Sequence, residues 1–146
     1  MNWQCLPWEE LDRDLLYQIV KTRFDIFVLE QKCFYPEFDN LDQKALHIVC
    51  REEGELLAYA RVFPPGAYYE EVAIGRVLVS DRARGRGMMK ALIKECHREV
   101  LQRFDTKRVR LNAQAYLKSA YEGLGYQVLK GPYNEDGIDH YEMVRS

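Results

Sequence analysis

The sequence that decides the fold is Val77-Leu78-Val79-Ser80-Asp81-Arg82-Ala83-Arg84-Gly85-Arg86-Gly87-Met88. An apolar run that begins at Val72 leads into it and predicts a strand buried on both faces. The residues after it, up to Phe104, carry apolar side chains at helical spacing. A strand, a glycine-rich loop and a helix in this order predict an anion-binding site, because the first N–H groups of a helix have no internal partners and glycines let a ligand approach the backbone.

The strand before this loop is expected to be central in a sheet. From Val72 to Val79 only Arg76 is charged, whereas a half-exposed strand alternates polar and apolar residues. Gly75 within the strand predicts a β-bulge or a close approach of another backbone or a ligand. The remaining elements are expected to pack around this strand.

The other patterns predict a single α/β domain. Apolar residues recur every three to five positions from about residue 9 to residue 30, which favours an amphipathic helix. The spacing from Leu117 to Leu124 predicts a short helix that Gly125 caps in a left-handed conformation. Further strands are predicted over residues 45–51, 56–63, 108–114, 126–130 and 139–144. The sum is a mixed central sheet of about six to seven strands flanked by about four helices.

Composition excludes several classes of protein. The 146 residues are the length of one domain, and 47% hydrophobic with 30% charged residues is typical of a globular chain. Lys and Arg number 21 against 23 Asp and Glu, so no overall positive charge attracts nucleic acid or an anionic membrane. No apolar run approaches the roughly 20 residues of a membrane span, and the first residues do not resemble a signal peptide. We therefore expect a cytoplasmic protein.

The glycine-rich loop fits a pyrophosphate group. Gly85 and Gly87 leave no Cβ between the backbone and a cluster of oxygens, and charge-assisted hydrogen bonds from N–H groups contribute about 1.5–3 kcal/mol each. The loop lacks the Gly-Lys-Ser/Thr of a P-loop and the third glycine of a dinucleotide-binding turn. Arg82, Arg84 and Arg86 occupy alternate positions, so they cannot all face one ligand. We expect at least one of them on the solvated surface.

The run Arg82-Ala83-Arg84-Gly85-Arg86-Gly87 resembles the Q/R-x-x-G-x-G/A motif of the GNAT superfamily of N-acetyltransferases. Asn112 and Tyr121 resemble the second signature of that superfamily. Met89 departs from the pattern, because many relatives have a small residue there. Further stretches are similar to the ElaA-like branch: Ala58-Tyr59-Ala60-Arg61-Val62, Pro64-Pro65-Gly66, Ile74-Gly75-Arg76-Val77, Leu111-Asn112-Ala113-Gln114-Ala115 and Glu135-Asp136-Gly137-Ile138.

The resemblance implies one N-acetyltransferase domain over residues 1–146, with acetyl-CoA as cosubstrate. It implies that the main chain of Leu78 and Val79 pairs with the pantetheine arm and that Asn112 and Tyr121 lie at the coenzyme. The pyrophosphate is then held by the backbone amides of Arg84, Gly85, Arg86, Gly87, Met88 and Met89. A splay between the fourth and fifth strands makes room for the arm, and the polar pair Asn112 and Gln114 is consistent with such a gap.

Transfer to an amine is slowed by the proton that the amine carries at neutral pH. A lysine-like amine of pKa about 10.4 is neutral in about one molecule in 2,500 at pH 7, so desolvation of the amine or a carboxylate base acting through water is expected to accelerate attack. The candidates are Glu71 before the central strand, Glu30 at the end of the first helix, His47 and His140. For the departing thiolate, the resemblance implies that Tyr121 donates a proton.

A covalent route through a cysteine is the alternative mechanism. The cysteines are Cys5, Cys33, Cys50 and Cys96, and their spacing indicates neither a disulfide scaffold nor a metal site. Cys96 shares a helical stripe with apolar residues, and burial raises the pKa of a thiol and makes it inert. We therefore expect direct transfer in a ternary complex and no metal cofactor.

The acceptor side carries two opposing indications. Acidic residues in the segment that would border the cleft favour a cationic amine. Two arginines favour an acceptor with a carboxylate, provided that they line the cleft rather than pair with acids. The acids are Glu30, Glu37, Asp39 and Asp42, and the arginines are Arg61 and Arg76. The expected acceptor-binding residues are Glu30, Arg61, Arg76, Gln114 and His140.

These observations predict an acetyl-CoA-dependent N-acetyltransferase whose acceptor is an amine-bearing small molecule or peptide. The alternative interpretation is a non-catalytic acyl-CoA-binding module. RNA binding by the arginine-rich loop is disfavoured by the acidic net charge and by the lack of interleaved aromatic residues. No nucleic-acid or membrane partner is expected, and the sequence leaves a homodimer open.

Overall fold

A seven-stranded mixed sheet forms the centre of the computed structural model, which describes residues 1–146. The strands are β1 (Asn2–Pro7), β2 (Leu46–Glu52), β3 (Glu55–Phe63), β4 (Val72–Val79), β5 (Val109–Gln114), β6 (Tyr126–Glu135) and β7 (Ile138–Arg145). The helices are α1 (Arg13–Arg23), α2 (Met88–Phe104) and α3 (Lys118–Glu122). The order across the sheet is β1-β2-β3-β4-β5-β7-β6, so the predicted α/β class and the central place of β4 are confirmed. None of the helices combines the length and the apolar character needed to cross a bilayer.

Strands β4 and β5 run parallel and separate almost at once. They pair only at Val72 with Val109 and at Ala73 with Arg110, near the start of each strand. Every other neighbouring pair in the sheet is antiparallel and pairs over most of its length. The predicted splay between the fourth and fifth strands is therefore confirmed.

A β-bulge interrupts β4 beside this gap. Arg61 pairs with Gly75 and Tyr59 with Leu78, so two residues of β4 lie opposite the single Ala60 of β3. The predicted bulge is thus present, but the left-handed residue is Arg76, with φ of 50°, rather than Gly75. A bulge increases the local twist of a strand, which helps β4 to turn away from β5.

The two faces of the sheet are covered by different helices. On one face, Leu92, Cys96 and Val100 of α2 belong to the largest buried apolar cluster. On the other face, Leu15 and Ile19 of α1 form a second cluster with residues of β2, β3 and β4. Complete burial of such a side chain stabilises the fold by roughly 1.5–3 kcal/mol. The apolar stripes identified in the sequence therefore decide which helix covers which face.

The predicted first helix is shorter than expected and changes type. Asp12 begins α1 by accepting a hydrogen bond from the Leu15 N–H at 2.8 Å, and α1 ends at Arg23. The chain continues as a π-helical segment over Phe24–Glu30. At its end the Gln31 N–H donates to the Ile26 carbonyl, five residues back, at 3.2 Å. Single π-helical turns are frequent at functional sites, and this one carries residues 30 and 31 to the open side of the sheet.

The segment between the π-helical turn and β2 is held by buried charges. The six side chains involved, called here the ion network, are those of Arg23, Arg61, Arg76, Glu37, Asp39 and Asp42. Arg23 and Glu37 are 1% and 2% exposed, and the Arg23 Nε lies 2.8 Å from the Glu37 carboxylate. Three cations and three anions balance, which is the condition under which charges tolerate burial.

Candidate active site

The gap between β4 and β5 opens into a cleft of about 910 Å³. One end of the cleft is formed by the glycine loop, residues 83–87, and by the start of α2. The middle is formed by the bulge of β4, by α3 and by the end of β5. The other end is formed by the π-helical segment and by the hairpin that joins β6 to β7. Residues far apart in the sequence thus share one concave surface, which is the usual form of a ligand site.

The glycine loop has the geometry of an anion cradle. Gly85 and Gly87 have φ of +77° and +71°, a conformation that favours glycine. A Cβ built on either residue would meet no atom within 4 Å, so both face open space. Helix α2 begins directly after Gly87, and no side chain caps its first N–H groups. These amides and the positive end of the helix dipole are therefore available to a bound phosphate.

The three arginines of the motif separate as expected. Arg84 lines the cleft. Arg82 forms an ion pair with Glu55, and Arg86 lies 3.6 Å from Glu52, so both side chains point to the β2–β3 hairpin instead. Only the backbone amide of Arg86 is then left for the expected contact with a pyrophosphate.

Four apolar residues of the expected coenzyme site line the same cleft. They are Leu78 and Val79 at the end of β4, and Met88 and Met89 at the start of α2. On one side Val79 and Leu78 pair with Ala58 and Tyr59 of β3. On the other side β5 has already diverged, so backbone groups of β4 that point away from β3 have no strand partner. An extended ligand arm can pair with such a free edge.

Tyr121 of α3 lies in the wall of the cleft and in the core at once. Its side chain is buried and packs edge-to-face on Tyr126, with 5.5 Å between the ring centroids. The Tyr121 hydroxyl makes no hydrogen bond within the protein. Burial raises the pKa of this phenol above its ordinary value, so the hydroxyl keeps its proton at neutral pH. A protonated hydroxyl without a partner can donate to a group in the cleft.

His140 of β7 presents an unpaired ring nitrogen to the cleft. Its Nδ1 lies 2.8 Å from the Ile138 carbonyl, which can only accept, so Nδ1 carries a hydrogen. In the neutral ring the lone pair is then on Nε2, which has no hydrogen-bond partner in the protein. The Glu135 carboxylate lies 3.9 Å from Nδ1. This arrangement is the one a proton acceptor requires.

Two other candidate bases, His47 and Glu71, lie outside the cleft. Both nitrogens of the buried His47 are occupied, Nδ1 by the Tyr59 hydroxyl at 2.6 Å and Nε2 by the Asp42 carbonyl at 2.9 Å. Burial lowers the pKa of His47, which keeps this ring neutral. Glu71 pairs with Arg108 at 3.2 Å, where β4 and β5 are still joined, and hydrogen bonding to its own backbone N–H contributes most to lowering its pKa. We leave both residues out of the proposed site.

Cys96 is enclosed in the core beneath α2 and does not reach the cleft. Burial raises the pKa of its thiol, so the fraction present as reactive thiolate is small. The expectation of direct transfer therefore stands as a proposal.

The arginines expected to bind an acceptor carboxylate are paired within the protein. Both line the cleft, but Arg61 contacts Asp39 at 2.6 Å and Asp42 at 3.0 Å. The Arg76 Nε lies 2.7 Å from the Glu37 carboxylate. A carboxylate-binding role required that the two arginines line the cleft and have no acid partner within the protein. Both have such partners, so this requirement is not met.

The acids expected at the border of the cleft also have internal roles. Glu37 is buried, and Asp39 and Asp42 are occupied by arginines, so they do not form a solvated acidic surface. Glu30 does reach the cleft, where its carboxylate oxygens accept from the Arg84 guanidinium at 2.9 and 3.1 Å. This contact lowers the pKa of Glu30, which makes it a weaker base.

Two polar residues of β5 connect the walls of the cleft. The Gln114 amide exchanges hydrogen bonds of 3.0 and 3.3 Å with Gln31, at the end of the π-helical segment. Asn112 donates to the Glu135 carboxylate at 2.7 Å and accepts from the Tyr133 hydroxyl. Neither Gln31 nor Glu135 was predicted as a partner from the sequence. The stretch Glu135-Asp136-Gly137-Ile138 stood out only by its resemblance to the ElaA-like branch, and nothing in the local sequence around Gln31 indicated its contact.

Comparison with known proteins identifies the fold and the family. Residues 12–146 match the family described as an acetyltransferase (GNAT) domain. The protein ElaA of Escherichia coli is 35% identical over 99% of this chain and 96% of its own length. Its crystal structure superimposes with a TM-score of 0.93.

Two further solved structures share this fold. The crystal structure of an acyl-CoA N-acyltransferase from Pseudomonas aeruginosa is 35% identical, covers 99% of both chains and has a TM-score of 0.95. An aminoglycoside 6'-N-acetyltransferase complexed with coenzyme A has a TM-score of 0.74 over 99% of this chain and 96% of its own, at 11% identity, a likeness of fold alone. The chain therefore belongs to the GNAT acetyltransferase family, and within that family it is ElaA-like.

Proposed function

We propose that this protein transfers an acetyl group from acetyl-CoA to a primary amine by direct attack in a ternary complex. The observation that carries the proposal is the joining of three features in one cleft. These are the uncapped start of α2 behind Gly85 and Gly87, the Tyr121 hydroxyl, which makes no hydrogen bond within the protein, and the unpaired Nε2 of His140. The first suits a pyrophosphate, and the other two suit proton transfer at an acyl group.

The proposed coenzyme site uses the groups that the fold leaves unpaired. Backbone amides from Arg84 to Met89 would hold the pyrophosphate, and the free edge of β4 at Leu78 and Val79 would hold the pantetheine arm. Asn112 lines the same cleft near the end of β5. When bound, the cosubstrate supplies an activated acyl group whose C–S bond breaks as the C–N bond to the amine forms.

His140 is the proposed proton acceptor. An ammonium group must lose a proton before its nitrogen can attack, and the His140 Nε2 is the histidine nitrogen in the cleft with a free lone pair. The Glu135 carboxylate lies 3.9 Å from Nδ1, on the opposite side of the ring. The Ile138 carbonyl accepts from Nδ1 at 2.8 Å and so orients the ring with its lone pair on Nε2.

Tyr121 is the proposed donor to the leaving sulfur. Transfer from a phenol of pKa about 10 to a thiolate whose thiol has a pKa near 8.5 is uphill by roughly 2 kcal/mol, and burial of the phenol increases that difference. The hydroxyl therefore contributes chiefly by donating a hydrogen bond to charge that develops on sulfur.

Two measurements on the purified protein test the proposal. Titration calorimetry with acetyl-CoA should give saturable binding, and a panel of primary amines should accelerate release of free thiol from acetyl-CoA. His140→Ala should keep coenzyme binding and lose most of the amine-dependent thiol release. Binding without thiol release for any amine would favour the non-catalytic acyl-CoA-binding module, and absence of binding would contradict both.

A further inference from the structure

A bidentate ion pair connects the two ends of the cleft. The Arg84 guanidinium, in the glycine loop, donates to both oxygens of Glu30, at the end of the π-helical segment, at 2.9 and 3.1 Å. The two residues are 54 positions apart in the sequence. Bidentate pairing of this kind is the strongest geometry that arginine and a carboxylate adopt.

The same arginine lies over the edge where a ligand arm would pair. Its Nε donates to the Val79 carbonyl at 3.4 Å, at the end of β4, and Asp81 lies 3.1 Å from its Nη1. Arg84, Glu30 and Val79 all line the cleft. A pantetheine arm that pairs with β4 and the Arg84 side chain therefore compete for one place.

We propose that the Arg84–Glu30 pair is an autoinhibitory latch that coenzyme binding has to open. This inference rests on the proposed function. Phosphate groups at the start of α2 attract the guanidinium, while Glu30 holds it over β4. Because the two anions compete for one cation, every contribution of Glu30 to holding Arg84 lowers the affinity for the coenzyme.

The latch makes a prediction opposite to that for a supporting contact. If Glu30 merely stabilised the loop, its removal would weaken coenzyme binding. If Glu30 acts as a latch, replacing it in Glu30→Gln or Glu30→Ala should tighten binding of coenzyme A about two- to fivefold. This range corresponds to the free energy that ion pairs contribute at exposed sites. Glu30 and Arg84 are exposed, so these variants should fold with unchanged thermal stability.

Calorimetric titration with coenzyme A separates the latch from a general charge effect. Removing any acid near a phosphate site raises affinity somewhat, so Glu55→Gln is the matched control. Glu55 pairs with Arg82 of the same loop, but neither residue lines the cleft. Glu30→Gln should tighten binding in the wild-type background by clearly more than Glu55→Gln does. When Arg84 is replaced by Ala, the gain from Glu30→Gln should fall to that of Glu55→Gln.

Each remaining outcome has a definite meaning. Unchanged or weaker binding by Glu30→Gln overturns the latch, and so does an equal gain in Glu55→Gln or in the Arg84→Ala background. Wild-type protein that binds no coenzyme A overturns the proposed function itself, which distinguishes that failure from failure of the latch alone.

Discussion

At the scale of single residues, Tyr121 combines a structural and a chemical position. Its ring fills the core beside Tyr126, while its hydroxyl has no partner in the protein. Tyr121 also lines the cleft, where this hydroxyl can meet a ligand. The missing partner supports the role in which the hydroxyl meets a group of the substrate.

Replacement of Tyr121 by Phe should therefore change catalysis and leave the fold intact. We expect turnover to fall about 100-fold, the lower end of the range for loss of one hydrogen-bond donor to developing charge, with coenzyme binding retained. Tyr126→Phe is the matched control, because it removes a buried hydroxyl that pairs with His97 at 2.7 Å outside the cleft. Steady-state rates of thiol release measure both variants, and equal losses would contradict a specific role for Tyr121.

His97 gives the stability a defined dependence on pH. Burial lowers the pKa of this ring to about 4, and the nearby Arg145 acts in the same direction. In the unfolded chain histidine titrates near 6.5, so between about pH 6.5 and pH 4 the unfolded state binds more protons. Stability contributed by the neutral ring is complete above about pH 6.5 and decreases as the pH falls through this window.

We expect the Tm of the wild type to decrease steadily from pH 7 to pH 4.5. His97→Gln should show a shallower decrease, because its side chain does not titrate. His47, whose pKa burial also lowers, remains in that variant and accounts for part of the residual slope. Scanning calorimetry at a series of pH values checks this, and identical slopes for the two proteins would speak against a titrating His97.

At the scale of elements, the start of α2 carries the coenzyme hypothesis. Gly87→Asp places a carboxylate where a phosphate is expected and puts a side chain on a backbone with φ of +71°. A saturating ligand at 100 times its Kd stabilises a protein by about 2.7 kcal/mol, or roughly 5–10 °C in a domain of this size. We expect acetyl-CoA to raise the Tm of the wild type by this amount and to leave Gly87→Asp unshifted.

Gly66→Asp serves as the control for backbone strain. Gly66 also has a positive φ, of +86°, with open space around it, but it does not line the cleft. Both variants should lose about 1–2 kcal/mol of stability without ligand. A normal ligand shift in Gly66→Asp and none in Gly87→Asp supports the site, whereas equal shifts in both place the phosphates elsewhere.

At the scale of the whole molecule, the ion network joins parts that no regular element connects. Glu37 accepts from Arg23 at 2.8 Å and from Arg76 at 2.7 Å, and it also accepts from the Tyr35 hydroxyl. Arg23 belongs to α1 and Arg76 to β4, so one carboxylate holds a helix and the central strand to the segment between them. The same contacts set the position of the cleft wall around the β4 bulge.

Neutralising this carboxylate should destabilise the fold strongly. Glu37→Gln leaves two guanidinium groups short of negative charge, and breaking a buried pair costs about 3–5 kcal/mol. The control is Asp25→Asn, which removes an exposed partner 2.7 Å from Lys21 and should cost about 0.3–0.5 kcal/mol. Urea unfolding measures both, and similar losses would mean that burial of the network adds nothing.

Local patterns were sufficient for most of the elements and for the glycine loop. The apolar run of β4, the stripe of α2 and the pair Gly85 and Gly87 are short-range features, because strand and helix periodicity and glycine backbone freedom act within a few residues. The change from α1 to a π-helical segment was not predictable in this way. This segment places Gln31 in hydrogen-bond contact with Gln114, which lies 83 residues later in the sequence, and the local sequence does not show that partner.

Which histidine and which acids reach the cleft was decided by tertiary structure. His47 and His140 both lie on strands, yet one has both nitrogens paired in the core and the other has a free Nε2 in the cleft. Glu37 lies in an acidic segment that was expected to border the cleft, but it is buried and paired with Arg23 and Arg76. The conformation of a backbone segment is largely encoded in its own residues, so most elements and the glycine loop could be predicted locally. The environment of a polar side chain depends on partners that the fold brings together, so the choice among the candidate histidines and acids could not.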